Sequence, residues 1–367
     1  MITHPTVSDS TLPWFGEDRF PLYLAPMAGF TDVVYRDLCK RCGADVLVSE
    51  FVLADSLVYG NETIWEHVDF SEDQRPMGAQ IFGSSPEIMA QAGQLLVERL
   101  NPDFIDLNFG CPSDKVACKG AGSSLLKEPA RLEAIAAAVV NALAGTPVTG
   151  KIRVGWDRSS IVCEDVTRRL ENAGVRAVAI HGRTKTQGYS GEPDWDEIEA
   201  AARAVTIPVV GNGNVRTSED VERIRGATSV SGLMIGRAAL GYPWLFGEIK
   251  HFLRTGHHPL PPTLAERWET LLTYARLLRA RPLRQHKGPH LRWMKPKLVK
   301  LTKGMAGCKA ARQAIQRLDS LEALEAYALH HQAAFQPVDD HERALLIERR
   351  RAATPEAAVV AAPLAPA

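Results

Sequence analysis

Cysteine is scarce in this chain. There are six in 367 residues, at 39, 42, 111, 118, 163 and 308, too few and too scattered for a disulfide scaffold. Long apolar runs are missing; none approaches the roughly 20 residues that span a bilayer. Residues 1–20 carry Pro5, Asp9, Pro13, Glu17 and Asp18, with no basic start before an apolar core, so no secretory signal is read there and a reducing cytoplasm is expected. No G-x-G-x-x-G follows the first apolar run, which disfavours a dinucleotide-binding open sheet. One further deficit is local. From Arg276 to Leu318 there are thirteen Lys or Arg and no Asp or Glu, whereas residues 1–275 hold 26 basic and 35 acidic residues. The formal net charge of zero thus conceals an acidic body and a basic segment. A polyanionic partner suits that asymmetry, and a solvated helix face is the plainer alternative.

Eight short apolar runs stand at intervals that suit β-α units: 22–25, 46–49, 77–81, 104–107, 148–152, 177–181, 209–211 and 232–235. They are continuous rather than alternating, as expected of parallel strands buried on both faces. Helical patterns separate most of them, at 86–100, 130–144, 163–173 and 195–205. Eight such units within about 230 residues predict an α/β fold, a (β/α)8 TIM barrel over residues 1–255, followed by a smaller all-helical domain over 263–336 that contains the basic segment. Gly256 to Pro262 reads as a stiff linker. The Ala- and Pro-rich tail, 352–367, is expected to be disordered.

In this barrel type the chemistry collects at the C-terminal ends of the strands. Phe104-Ile-Asp-Leu-Asn-Phe-Gly-Cys-Pro-Ser113 places Asn108 at a strand end and Cys111 in a turn between Gly110 and Pro112, which restrict the backbone. A free cysteine is more often a small core residue, but this placement favours a displayed thiol. Gln80, Lys151, His181, Arg183, Asn212, Gly213, Asn214, Gly236 and Arg237 occupy other predicted tips. The glycine-rich ends of strands 7 and 8, with Arg237, suit a phosphate. Lys151 can face an electron-rich ring, and Gln80 and Asn108 carry donors and acceptors for amide-like edges. A phosphorylated heterocycle such as FMN would use all of these. Cys39-x-x-Cys42 lacks a second ligand pair, so no metal site is read.

The chain resembles the tRNA-dihydrouridine synthases. The resemblance rests on Ala25-Pro-Met-Ala-Gly29, Leu107-Asn-Phe-Gly-Cys-Pro-Ser113, Gly120-Ala-Gly-Ser-Ser-Leu-Leu126, Lys151-Ile-Arg153, His181-Gly-Arg-Thr184, Asn212-Gly-Asn214 and Ile235-Gly-Arg-Ala238, in order over residues 22–250. It implies FMN- and NAD(P)H-dependent reduction of specific tRNA uridines to 5,6-dihydrouridine. Pro26, Met27 and Ala28 would pack on the flavin ring, and Gln80 and Lys151 would meet its polar edge. His181, Asn212, Gly213, Asn214, Gly236 and Arg237 would hold the phosphate. NADPH or NADH would be a diffusible reductant. The helical domain would grip tRNA, and Asn108 and Arg183 would contact the flipped base. The family usually has Asn-Gly-Asp where this chain has Asn212-Gly-Asn214, which removes a carboxylate near the phosphate.

Saturating the uracil 5,6 bond needs hydride at C6 and a proton at C5. Cysteine, with an ordinary pKa of about 8.5, still carries its proton at neutral pH, whereas a carboxylic acid does not. Cys111 is therefore expected to be the acid. Cys118 reads as a structural neighbour, and Trp293 as a stacking or core residue. A flavin reductase of free pyrimidines and a non-catalytic RNA-binding barrel are the rival readings.

Overall fold

The computed structural model describes residues 12–16, 19–143, 145–281 and 291–353. Eight strands build its first unit: β1 (Leu22–Leu24), β2 (Val46–Val48), β3 (Met77–Phe82), β4 (Phe104–Asn108), β5 (Val148–Arg153), β6 (Ala177–His181), β7 (Val209–Asn212) and β8 (Gly232–Ile235). Each pairs in parallel with the next, and β8 returns to β1 through Leu22↔Leu233 and Leu24↔Ile235, so the sheet closes. A two-residue strand, Val52–Leu53, adds to the upper part of β3 after a break at Ser49 to Phe51. This is the expected TIM barrel.

The intervening helices carry explicit start and stop signals. In α2 (Pro86–Leu100) the Ser85 hydroxyl caps the Ile88 N–H, Pro86 opens the helix, and Asn101 ends it in the left-handed conformation. In α6 (Ser218–Ala227), Thr217 and Asp220 form a capping box. The others on the barrel are α1 (Val33–Arg41), α3 (Pro129–Ala142), α4 (Cys163–Asn172), α5 (Trp195–Arg203) and α7 (Leu245–Thr255). Cys39 is buried within α1 and Cys42 caps its end.

The barrel interior is divided along its axis. Tyr23, Val46, Val48, Phe104, Ala177, Ala179, Val210 and Met234 form an apolar core with Leu12 and Phe15, and Trp14 packs against it. The N-terminal segment thus plugs the end where the strands begin, and Trp14 Nε1 donates to the Tyr23 hydroxyl at 2.5 Å. Toward the strand ends the inward positions become polar: Gln80, Asp106, Asn108, Thr149, Lys151 and His181.

Contacts divide the chain into residues 1–258 with 277–289, and residues 259–276 with 290–367. The second unit contains most of α8 (Leu264–Ala280), then α9 (Lys295–Leu301), α10 (Cys308–Arg317) and α11 (Leu321–Ala353). Trp268, Leu271, Leu298, Leu301, Ile315 and Leu324 are buried there, and Trp268 Nε1 donates to His331 Nδ1 at 3.1 Å. The last helix runs 17 residues past 336, the expected end of this domain, and contains Pro337. Polar contacts hold its later turns: Asp339 accepts from the Leu264 N–H at 3.0 Å, and Arg343 donates to the Pro261 carbonyl. Of the tail expected to be disordered, Ala352 and Ala353 close this helix and 354–367 lie outside the described residues. Among the described residues, no helix is long and apolar enough to cross a membrane.

Candidate active site

β4 delivers Asn108 to the mouth of the barrel, and the chain then turns sharply through Gly110 and Cys111. Asn108 Oδ1 accepts the backbone N–H groups of Gly110 at 3.2 Å and Cys111 at 2.9 Å. The Cys111 carbonyl accepts the Ser123 hydroxyl at 2.8 Å, and Arg153 Nε donates to the Gly110 carbonyl at 2.9 Å. Two glycines fit closely here. A Cβ on Gly110 would lie 3.1 Å from the Ile152 carbonyl carbon, and Gly122 has φ +60 with a hypothetical Cβ 2.7 Å from Val116.

The thiol held by this turn is half-buried and packs on the cluster of Phe82, Val116 and Ala121, which Phe51 and Leu53 also cover. Burial pushes it above the ordinary thiol range, while the Ser113 N–H and the Arg153 and Lys151 cations pull the other way. Cys111 therefore carries its proton at neutral pH and can donate it. Cys118 is exposed, and its thiol lies 3.4 Å from the Lys115 carbonyl.

Below the turn lies a polar layer. Gln80 is fully buried; its Nε2 donates to Asp106 Oδ2 at 2.5 Å and its Oε1 accepts from Asn108 Nδ2 at 2.9 Å. Both ends of each amide are committed to protein partners, whereas the sequence reading assigns Gln80 to a flavin edge and Asn108 to the base. Asp106, which that reading passed over, anchors the layer. Its only sequence signal is parity, because Phe104, Asp106 and Asn108 share one strand face.

Lys151, Arg153, Arg183 and Arg237 converge on His181 and form a cationic basin, the first two also lying beside the turn. Burial and Arg153 lower Lys151 to about 8 against the opposing pull of Asp106, and its Nζ donates to Asn212 Oδ1 at 3.3 Å. His181 is held far below the usual imidazole range by burial and by all four cations. It is neutral and accepts from Arg183 Nη1 at 3.4 Å. Arg183 is only 1% exposed; it grips the Ser190 and Gly191 carbonyls and reaches Asn214 Oδ1 at 3.0 Å. Its donors thus tie down a loop, where the sequence reading places them on the base.

Asn214 adopts φ +48, which asparagine tolerates. Its oxygen accepts from Arg183 and, at 3.3 Å, from Arg237, and its Nδ2 donates to Glu192 at 2.6 Å. Tyr189 is 57% exposed and lies under the Arg237 guanidinium, 4.6 Å from the ring centre. No motif pointed to it.

At the tip of β1, Pro26 and Met27 are half-buried and Ala28 is exposed. Thr31 Oγ1 accepts the Met27 N–H at 2.9 Å. A Cβ on Gly236 would stand 3.6 Å from the Met27 sulfur, so the β1 and β8 tips are neighbours. A partly open apolar tip beside Gly236, next in sequence to Arg237, suits a group with an aromatic ring and a phosphate.

A family model described as Dihydrouridine synthase (Dus) matches residues 23–336. A relative from Pseudomonas putida named tRNA-dihydrouridine synthase B is 43% identical over 262 residues, covering 71% of this chain and 77% of that protein. Relatives of the same name from Pseudomonas aeruginosa and Xanthomonas axonopodis pv. citri are 42% and 39% identical, covering 74% and 70% of this chain and 83% and 77% of their own lengths.

Proposed function

The chain belongs to the dihydrouridine synthase family, and we propose that it reduces specific uridines of tRNA to 5,6-dihydrouridine, with FMN as resident cofactor and NADPH or NADH as a diffusible reductant. The observation that carries this reading is a cysteine thiol held by a fixed turn at the end of β4 beside Lys151 and Arg153. Pro26, Met27 and Ala28 would lie against the flavin ring and Lys151 with Asn212 at its polar edge. His181, Gly213, Asn214, Gly236 and Arg237 would surround the phosphate. When bound, the flavin supplies hydride for C6 of the uracil.

The residues of the chain supply the rest. Cys111 gives its proton to C5, the carbon left electron-rich when C6 is saturated. General acid catalysis of this kind is worth about 10²–10⁴-fold. Phe82, Val116 and Ala121 would shield the thiol from water on one side, while Ser123 holds the Cys111 carbonyl and Arg153 the Gly110 carbonyl before it. Lys151 opposes negative charge beside it. The exposed Tyr189 ring offers a stacking face for a base that has left its helix. Arg292, Lys300, Lys303, Lys309, Arg312 and Arg317 are exposed on the second unit and suit contacts with tRNA phosphates, which weaken with salt. Trp293, 51% exposed among them, fits the stacking role rather than the core role.

The test is Cys111→Ala. The variant is expected to keep its flavin and its NADPH oxidation and to lose dihydrouridine formation in a tRNA transcript by about 10²–10⁴-fold. Undiminished product would exclude Cys111 as the acid, and turnover of free uracil in place of tRNA would move the enzyme to the free-pyrimidine reductases.

A further inference from the structure

We infer that Asp106 is a positioning residue for the proton-donating turn: its carboxylate sets the direction of a hydrogen-bond chain that ends on the Cys111 backbone. The proposal rests on Cys111 being the acid. Asp106 is 3% exposed. One of its oxygens accepts from Thr149 Oγ1 and the other from Gln80 Nε2, each at 2.5 Å. A carboxylate can only accept, so Gln80 must turn its NH2 toward Asp106 and its oxygen toward Asn108. Asn108 must then present its NH2 to Gln80, at 2.9 Å, and its oxygen to the Cys111 N–H, also at 2.9 Å. Two side-chain amides are thereby locked in one direction between the buried charge at one end and the donor-only backbone N–H groups of Gly110 and Cys111 at the other. The register makes this possible, because Gln80 pairs with Asp106 across β3 and β4, and Asp106 with Thr149 across β4 and β5.

Nothing in the proton transfer itself requires a carboxylate here, and burying one is costly. A merely structural role would be served equally well by a neutral amide of the same shape. What an amide cannot do is enforce direction, since it donates as readily as it accepts. The charged and titratable groups that face Asp106 are Lys151 on β5 and Tyr23 on β1; burial raises its proton affinity above the ordinary carboxylate range, against the hydrogen bonds from Thr149 and Gln80 and the Lys151 cation, which favour the ionised, acceptor-only form. Lys151 is itself faced by Arg153 and Cys111.

Two isosteric variants test the idea. Asp106→Asn removes the acceptor-only terminus. Amide hydrogen exchange at Gly110 and Cys111 should quicken about tenfold, the weight of one lost hydrogen bond, with exchange in β6 unchanged. Dihydrouridine kcat should fall by a similar factor, with KM for tRNA within about twofold. Gln80→Glu provides a second route if Asp106→Asn does not fold. Two carboxylates at hydrogen-bond distance cannot both ionise, so the new side chain must carry a proton to bridge Asp106. Protection of the Cys111 N–H, corrected for the intrinsic exchange rate, should then hold at about pH 6 and be lost by about pH 9, while the unaltered protein keeps it at both. Unchanged Cys111 exchange in both variants would overturn the inference, and so would equal quickening in β6. If the unaltered enzyme makes no dihydrouridine, the proposed reaction fails, while the exchange measurements still decide whether Asp106 orients the turn.

Discussion

Gly110→Ala isolates the steric demand of the cysteine turn. The added Cβ would meet the Ile152 carbonyl carbon at 3.1 Å and its oxygen at 3.2 Å. Both are backbone atoms of β5, where Ile152 pairs with Ile180 of β6, so they cannot rotate away as a side chain would. The turn must move instead, by a few tenths of an ångström. Overpacking of this kind costs about 1–3 kcal/mol, and each kcal/mol lowers Tm by about 2–4 °C at this domain size. The same shift strains the 2.9 Å contact from Arg153 to the Gly110 carbonyl and moves the thiol, so product formation should fall more steeply than stability alone requires. Gly226→Ala is the control. It lies in α6, and its Cβ would have no neighbour within 4 Å, so it should stabilise by about 0.5–1 kcal/mol. Differential scanning calorimetry and dihydrouridine assays on both variants check the reasoning. A Gly110→Ala protein with unaltered Tm and unaltered rate would show that the turn is not held as described.

Lys151 has a folded value of about 8 against an ordinary 10.5, so between those values the unfolded chain binds the extra proton and folding strengthens as pH rises. Lys151→Met should therefore raise Tm at pH 7 while eliminating product, with the gain fading toward about pH 10; a lower Tm at pH 7 would refute this. His67 is raised above 6.5, chiefly by its hydrogen bond to Glu50. Its stabilisation is fully present below 6.5 and is lost as pH rises through the folded value, so the Tm deficit of His67→Gln should be larger at about pH 5.5 than at about pH 9. Asn214→Asp restores the carboxylate usual in the family but replaces the donor that meets Glu192 at 2.6 Å with an acceptor. It should destabilise by about 0.2–1 kcal/mol, the scale of an exposed charge contact, and adding Glu192→Gln should recover most of that loss in thermal denaturation.

The elements legible in the sequence are those whose signal is local. Continuous apolar runs marked the strands because both faces of a closed parallel sheet are buried. Ser85, Pro86 and Asn101 bounded α2 because caps act within a few residues. Elements fixed by distant partners were not legible. Leu12 to Phe15 sits in a polar stretch, and only the closed barrel supplies the apolar floor it plugs. The last helix looked finished before Pro337, yet Asp339 and Arg343 bind residues some 80 positions earlier.

The candidate site divides along the same line, and the division reassigns roles. Sequence placed Gln80, Asn108 and Arg183 correctly at strand ends but could not say which way their polar atoms would turn. An eight-stranded barrel is only wide enough for its interior side chains to fill, so polar groups on adjacent strands satisfy one another before they meet a ligand. Gln80 and Asn108 are drawn into the chain from Asp106, and Arg183 into the loop at Ser190 and Gly191. The departure at position 214 follows the same logic. The missing carboxylate is not lost from the basin, because Glu192, on the loop after β6, places one 2.6 Å from the Asn214 amide. An asparagine can bridge that carboxylate to Arg183 and Arg237 at once, since it both donates and accepts. An aspartate could hold the two cations but would repel Glu192. The amide at 214 and the acid at 192 are therefore one feature, separated by 22 residues in sequence and joined by a single hydrogen bond in the fold.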